Sequence, residues 1–335
     1  MFVAWRELWF ARGRFGLMGG VVVLITVLVG LLSGLTAGLG ARNTSAVAGL
    51  PADHLVFAAD AGFADSVLGA DVAQAWARVP GVRSATPVRI SMTRAQVDGR
   101  SVGVAVFAVP DGSPLAPVRL RQGVAVVSSG VGGRSTLSIG ADSYQAVPTS
   151  TEDYYSHAPV VWVTLPADAP ATVLALSTSD IDLVAADRSL GTHTVELGDS
   201  LAEIGSFAAE NGSLQLMRGF LFAISALVVG AFFTVWTIQR GADVAVLKAL
   251  GASTPYLLRD ALGQALVLLA IGAVVGTAIA LGLGALVGSA VPFVLDLPTV
   301  ALPGAVIVVL GLLGAALSIR RITSVDPLTA LGSTR

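Results

Sequence analysis

The sequence predicts an α-helical membrane protein with four transmembrane helices and an α+β extracytoplasmic domain between helices 1 and 2. Composition is the first reason. Of 335 residues, 54% are hydrophobic and 13% charged, with a mean hydropathy of +0.78, whereas soluble chains carry roughly 25% charge. The second is the set of apolar runs at 17–39, 219–238, 261–294 and 300–319, each long enough for about 30 Å of hydrocarbon. The third is the change at residues 40–212, where Pro, Asp and Ser return and no comparable apolar run occurs.

Composition also excludes whole classes of function. A net charge of −2 and a pI of about 5.9 give no reason to propose nucleic acid as a partner. Cysteine is absent, so neither disulfides nor thiolate metal sites are available. Lys248 is the sole lysine and follows Leu247, not Gly. A phosphate-binding G-x-x-x-x-G-K-[ST] loop is therefore ruled out within this sequence, and if the protein is driven by nucleotide, another polypeptide is expected to bind it.

Residues 1–15 carry Phe2, Trp5, Leu8 and Trp9 at helical spacing with Arg6, Arg12 and Arg14 elsewhere, the pattern of a cytoplasmic interfacial helix. Residues 16–39 form helix 1, which is longer than the apolar core of a signal peptide, the alternative reading. Within it Gly30, Gly34 and Gly38 recur every four residues, a ridge that lets another backbone approach closely. That ridge is expected to meet a twin subunit or helix 2. In 40–212, strands are expected at 55–59, 82–93, 102–109, 124–128, 160–165, 181–185 and 192–197. An amphipathic helix is expected at 71–79, a second helix at 199–211, and a hairpin turn at Asp98-Gly99. Residues 213–239 then form helix 2, 255–289 helix 3, 290–299 an external loop turning at Asp296 to Pro298, 300–319 helix 4, and 320–335 a cytoplasmic tail.

Basic residues set the orientation. Arg6, Arg12 and Arg14 precede helix 1; Arg240, Lys248 and Arg259 lie between helices 2 and 3; Arg320, Arg321 and Arg335 follow helix 4. The positive-inside rule places both termini and the 240–254 loop in the cytoplasm, in the plasma membrane of a multi-pass protein. In that loop Asp243 can cap a short helix, Val244, Leu247 and Leu250 share one apolar side, and Gly251 stands where a left-handed residue closes it. Ser253 or Thr254 can cap the next helix, with Pro255 in its first turn. A short rigid cytoplasmic helix of this kind suits a docking partner.

The topology, one helix, a large external domain, three helices and a tail, resembles the FtsX-like or MacB-like permeases of type VII ABC transporters. The loop matches that family's pattern R-x-x-[DE]-[IV]-x-x-L-[RK]-A-L-G-A-[ST] at Arg240, Asp243, Val244, Leu247, Lys248, Ala249, Leu250, Gly251, Ala252 and Ser253. The tail matches at Arg320, Arg321, Pro327, Ala330 and Leu331. Asp243 stands where Glu is commoner, and the charge is kept. The resemblance implies a permease subunit that is not itself an enzyme. It also implies a separate ATPase holding ATP and Mg, seated on this coupling helix, and a homodimer.

Within the family, the length and the lone four-helix unit look most like the haem-efflux (HrtB-type) permeases of Gram-positive bacteria. Haem would be cargo, and this chain would hold no resident cofactor. Haem needs an apolar slot, an axial ligand and cations for its propionates. Glu210, Met217 and Arg218 approach one helical face at the entry to helix 2, Phe220 and Leu221 can wall a deeper slot, and Arg42 and Asn43 sit just above helix 1. Glu210 is the expected ligand to haem iron. His54, His157 and His193 are read as structural. The alternatives are an FtsX-like mechanotransmitter that activates a cell-wall hydrolase, or an exporter of a lipid, peptide or lipoprotein.

Overall fold

The computed structural model describes residues 12–132, 136–239, 246, 250–251, 253–288 and 291–323. It divides into two units, one of residues 1–38 with 214–335 and one of residues 39–213. Among the described residues, four helices are long and apolar enough to cross a membrane. Helix α1 runs Arg12–Ala48, well beyond the end expected at 39, because no proline occurs until Pro51 and packing of Ala46 and Val47 into the α+β core overrides the modest helix propensity of Gly40 to Ser45. At 1.5 Å per residue it is about 55 Å long. The interfacial helix expected at 1–15 lies almost wholly outside the described residues.

The α+β unit packs its strands around three cores. Strands β1 (His54–Ala58), β2 (Val82–Val97), β3 (Arg100–Val109), β4 (Val124–Val127), β5 (Thr136–Ile139), β6 (Asp142–Pro148), β7 (Tyr154–Tyr155), β8 (Ala158–Thr164), β9 (Val173–Thr178) and β10 (Thr192–Glu196) form one sheet. Its order is β10-β1-β9-β2-β3-β8-β4-β6-β5, and β5 pairs back onto β2. Six strands therefore close into a ring, and β2 passes from this ring into the open part of the sheet. The pairs β3–β8 and β4–β6 are parallel; the remaining ladders are antiparallel.

Because side chains alternate along a strand, β3 points Val104, Val106 and Ala108 into the ring with Val97, Ala125, Leu137 and Val161. Ala105, Phe107 and Val109 face a second core, which Ala46, Val47 and Leu50 at the end of α1 help to close. A third core, on β1 and β9, is covered by Trp76 of α2 (Ala70–Trp76) and Ala186 of α3 (Leu183–Leu190).

The Asp98-Gly99 turn forms as expected, with φ of +47° and +77° and Val97 paired to Arg100. The strand expected at 181–185 does not form. Asp182 caps α3 by accepting a 3.0 Å bond from the Ala185 N–H, and Gly191 closes that helix at φ +64°. The helix expected at 199–211 is a 3₁₀ turn over Asp199–Glu203, followed at Gly205 by helix α4 (Gly205–Gln239). Strands β5, β6, β7 and β9 were not anticipated.

In the helical unit, α4 is followed by α5 (Thr254–Val287) and α6 (Leu297–Thr323). Helix α6 starts three residues before the expected 300, since Pro298 is tolerated in a first turn whose N–H groups need no helical partner. Small residues set the helix spacing. A methyl group at Gly276 of α5 would lie 2.6 Å from Thr26 of α1, and one at Gly272 would lie 2.7 Å from Val22. Gly304 of α6 sits against Thr277 and Thr26, and Gly314 against Gly230 of α4. Val229, Phe233 and Trp236 of α4 fill the bundle core with Met18, Leu269 and Ala315.

Candidate functional site

A hairpin, the end of α1 and the start of α4 meet in one polar cluster within the α+β unit. The turn between β7 and β8 is made by Ser156 and His157, both non-glycine residues with positive φ, +46° and +65°. That conformation is uncommon and costs energy, and here it is held by two backbone bonds. The Ser156 N–H donates to the Asn43 carbonyl and the His157 N–H to the Arg42 carbonyl, each at 3.0 Å. The turn thus delivers the His157 ring to α1.

Asn43 is fully buried and organises the side chains around it. Its Oδ1 accepts a 2.7 Å bond from Ser206 Oγ, and its Nδ2 lies 3.3 Å from Glu210 Oε2 and 3.3 Å from His157 Nε2. His157 Nε2 lies 2.9 and 3.1 Å from the two Glu210 oxygens. One ring nitrogen cannot donate to a carboxylate and also accept from an amide. The arrangement that satisfies every group has His157 Nε2–H donating to Glu210 while the Asn43 amide donates to Oε2. Ser156 and Ser206 hydroxyls join at 3.0 Å, and Ser45 Oγ accepts a 2.8 Å bond from the Tyr154 N–H. The Arg42 guanidinium lies 5.3 Å from the Tyr154 ring centre, a cation–π distance. His157 and Glu210 keep 37% and 43% of their side chains exposed, so the pair is open to a ligand. Beneath it, burial pushes the Tyr155 hydroxyl up to about 12, so this phenol stays neutral.

Three of the expected cargo-site residues, Arg42, Asn43 and Glu210, are therefore brought together. His157 joins them, although the sequence reading set it aside as structural. Its distances of 114 residues from Asn43 and 53 from Glu210 left no local pattern to find. The signal that could have raised it is the Ser156-His157 dipeptide between two strands, a two-residue turn. Met217, Arg218, Phe220 and Leu221 belong to the helical unit, further along α4. Met217 and Phe220 are exposed, Leu221 is half-buried, and the Arg218 Nε is buried with no hydrogen-bond partner.

Gly30, Gly34 and Gly38 do not meet helix 2. Gly30 faces Ala280 of α5 and Val300 of α6, Gly34 faces the Phe293 ring, and Gly38 faces the Pro292 backbone. This corrects the expectation for the ridge: its small side serves the chain's own helices and the connection between them. Of the coupling residues, Arg240, Asp243, Val244, Leu247 and Lys248 lie outside the described residues. Leu250 is exposed, its N–H donates to the Val246 carbonyl at 3.0 Å, and Gly251 has φ +95°, the left-handed geometry expected of it. Ser253 is the residue before the first turn of α5, with Pro255 second in that turn.

Residues 216–327 match the FtsX-like permease C-terminal family, so the helical unit from α4 onward is an FtsX-like permease domain. Over 119 residues, 36% of this chain, the sequence is 35% identical to a permease of Staphylococcus haemolyticus named HrtB for a hemin transport system. A Staphylococcus epidermidis permease of the same name is 30% identical over 119 residues. An uncharacterized ABC transporter permease of Mycobacterium bovis is 34% identical over 112 residues, 33% of this chain. The matched part spans about a third of each relative: 34%, 34% and 32%. Among solved structures, the periplasmic region of MacB from Actinobacillus actinomycetemcomitans aligns at a TM-score of 0.35 and 11% identity. It covers 45% of this chain and 92% of that one. The extracellular domain of the Gram-positive transporter YknZ aligns at 0.33 and 9%, covering 43% and 98%.

Proposed function

We propose that this chain is the permease subunit of an ABC-type efflux pump that extrudes an amphipathic molecule, haem first among the candidates, from the outer leaflet. The FtsX-like permease domain at 216–327 carries this reading. It supports a multi-pass plasma-membrane protein with cytoplasmic termini, an external α+β unit and a separate ATPase docked on residues 240–251. Haem as cargo draws on the names of the staphylococcal relatives and on the chemistry at the end of α1. A carboxylate and an imidazole 2.9 Å apart, both part-exposed, offer iron an oxygen or a nitrogen ligand. Arg42, whose carbonyl accepts the His157 N–H, supplies a cation for a propionate. Binding iron through Glu210 would exchange its bond to His157 for the metal, and binding through His157 Nε2 would free the carboxylate.

Titration of the purified full chain with haem, followed at the Soret band, tests the cargo. Saturable binding is expected, with a shifted band in Glu210→Ala and His157→Ala. A wild type with no saturable spectrum removes haem and leaves the exporter reading standing. For the pump itself, the chain alone is expected to hydrolyse no ATP, and Leu247→Asp to abolish stimulation of its ATPase with membrane insertion intact. ATP-driven export unchanged by Leu247→Asp would remove the coupling assignment.

A further inference from the structure

Within the α+β unit, Tyr154 holds the cluster's exposed cation. Arg42 stands near the end of α1 with its side chain exposed, and among the described residues no carboxylate lies within ion-pair reach of it. A long exposed side chain ordinarily samples many rotamers. Here the guanidinium carbon sits over the Tyr154 ring, 5.3 Å from its centre. The ring attracts the charge without accepting a conventional hydrogen bond, so the N–H fork stays available to a carboxylate. Tyr154 is itself seated from three sides. Its N–H donates to Ser45 Oγ at 2.8 Å, one turn along α1 from Arg42, and Pro159 faces it across the β7–β8 hairpin. Its phenol end fills the place where a side chain would stand at Gly130, in the 3₁₀ turn Ser129–Val131. A methyl group there would lie 2.9 Å from Tyr154 Cζ, nearer still to the hydroxyl, and 3.1 Å from Pro159. Glycine is required at 130 because any side chain would displace the phenol.

We infer that Tyr154 is a positioning residue, and that it holds Arg42 as a carboxylate subsite beside the His157–Glu210 pair. The His157 N–H is bound to the Arg42 carbonyl at 3.0 Å, and His157 lies on the hairpin that Tyr154 begins, so the subsite and the pair share one support. A cation fixed before the cargo arrives spares the complex the cost of ordering it. The cargo that fits carries a carboxylate at its polar rim, and the neutral ester of the same molecule lacks the group that Arg42 recognises. The subsite deepens the proposed efflux function and rests on the cluster being its cargo site.

Two measurements on the purified full chain test it. Without cargo, the Arg42 Nε–H resonance, assigned by its loss in Arg42→Lys, should be shifted upfield by the Tyr154 ring, and should return to the free-arginine position in Tyr154→Leu and in Gly130→Val. With cargo, haem and its dimethyl ester are titrated side by side. Wild type should hold haem about tenfold more tightly than the ester. Tyr154→Leu and Gly130→Val should lose that preference while the Soret position of bound haem stays put, and Tyr154→Phe, which keeps the ring, should restore it. A merely structural role would weaken haem and ester alike, so parallel losses overturn the inference, as does an Arg42 resonance at the free position in wild type. Failure of both porphyrins to bind wild type removes haem as cargo. The comparison is then made with palmitate and its methyl ester, where equal affinities, or no binding of either, overturn the carboxylate subsite. Should Tyr154→Leu or Gly130→Val fail to fold, Gly130→Ala intrudes less on the phenol, and an unshifted resonance with an unchanged preference in that variant overturns the inference equally.

Discussion

Helices α1 and α4 both run from the helical unit into the α+β unit, yet they are held in opposite ways. Helix α1 is gripped along its length: Val22 and Thr26 against Gly272 and Gly276, Gly30 against Ala280 and Val300, Gly34 against Phe293. Helix α4 is gripped at its ends. Ser206 and Glu210 tie it to Asn43, and Val229, Phe233 and Trp236 bury it in the bundle. Between them Leu216, Met217, Phe220, Ile224 and Leu227 stand exposed, and Ser225 is the one fully buried side chain from 214 to 227. Small residues explain the contrast. A glycine ridge lets the partners of α1 come within contact distance over many turns.

The largest way to break this contrast is to add bulk to each helix. Gly34→Leu must expel Phe293 and should cost about 3 kcal/mol, at the upper end for overpacking, while Gly219→Leu, with open space around it, should leave the thermal midpoint unchanged. Equal midpoints for the two variants would erase the distinction. Removing bulk from α4 is next. Phe233→Ala should cost about 2 kcal/mol, less than in a soluble core because lipid replaces part of the lost contact, whereas Phe220→Ala, 61% exposed, should be silent in the same melting experiment. Asn43→Ala strips Ser206 and Glu210 of a buried partner and should cost about 1–2 kcal/mol, seen as an earlier melting step of the α+β unit. A single, unshifted transition in that variant would show that the cluster does not hold the helix ends.

The smallest effect separates the two units by pH. Asp53 accepts the Thr178 N–H at 2.7 Å, and this bond holds its carboxyl below the usual carboxylate range. A carboxyl lowered by folding stabilises the fold above its unfolded value, and that contribution is lost as pH falls through the folded value. Acidification from pH 5 to 3 should therefore weaken the α+β unit slightly more in wild type than in Asp53→Asn, measured by tryptophan fluorescence during melting. Identical slopes would exclude Asp53 as a source of acid sensitivity.

Much of this architecture was legible in the chain itself. Four apolar runs, the Asp98-Gly99 hairpin and the left-handed Gly251 follow from local chemistry: hydrocarbon length, a backbone that needs positive φ, and helix ends that need closing. The α+β class was readable too, but residues 181–185 were misjudged because a short apolar stretch suits strand or helix until Asp182 caps it. The ridge at Gly30, Gly34 and Gly38 announced close approach without naming the partner, since spacing along one helix says nothing of what arrives from elsewhere. Glu210 and Asn43 could be picked out as polar residues at helix ends. That His157 would reach both, through a strained turn distant in sequence, was decided by the tertiary fold, because contacts between such distant residues depend on how the sheet and helices place them.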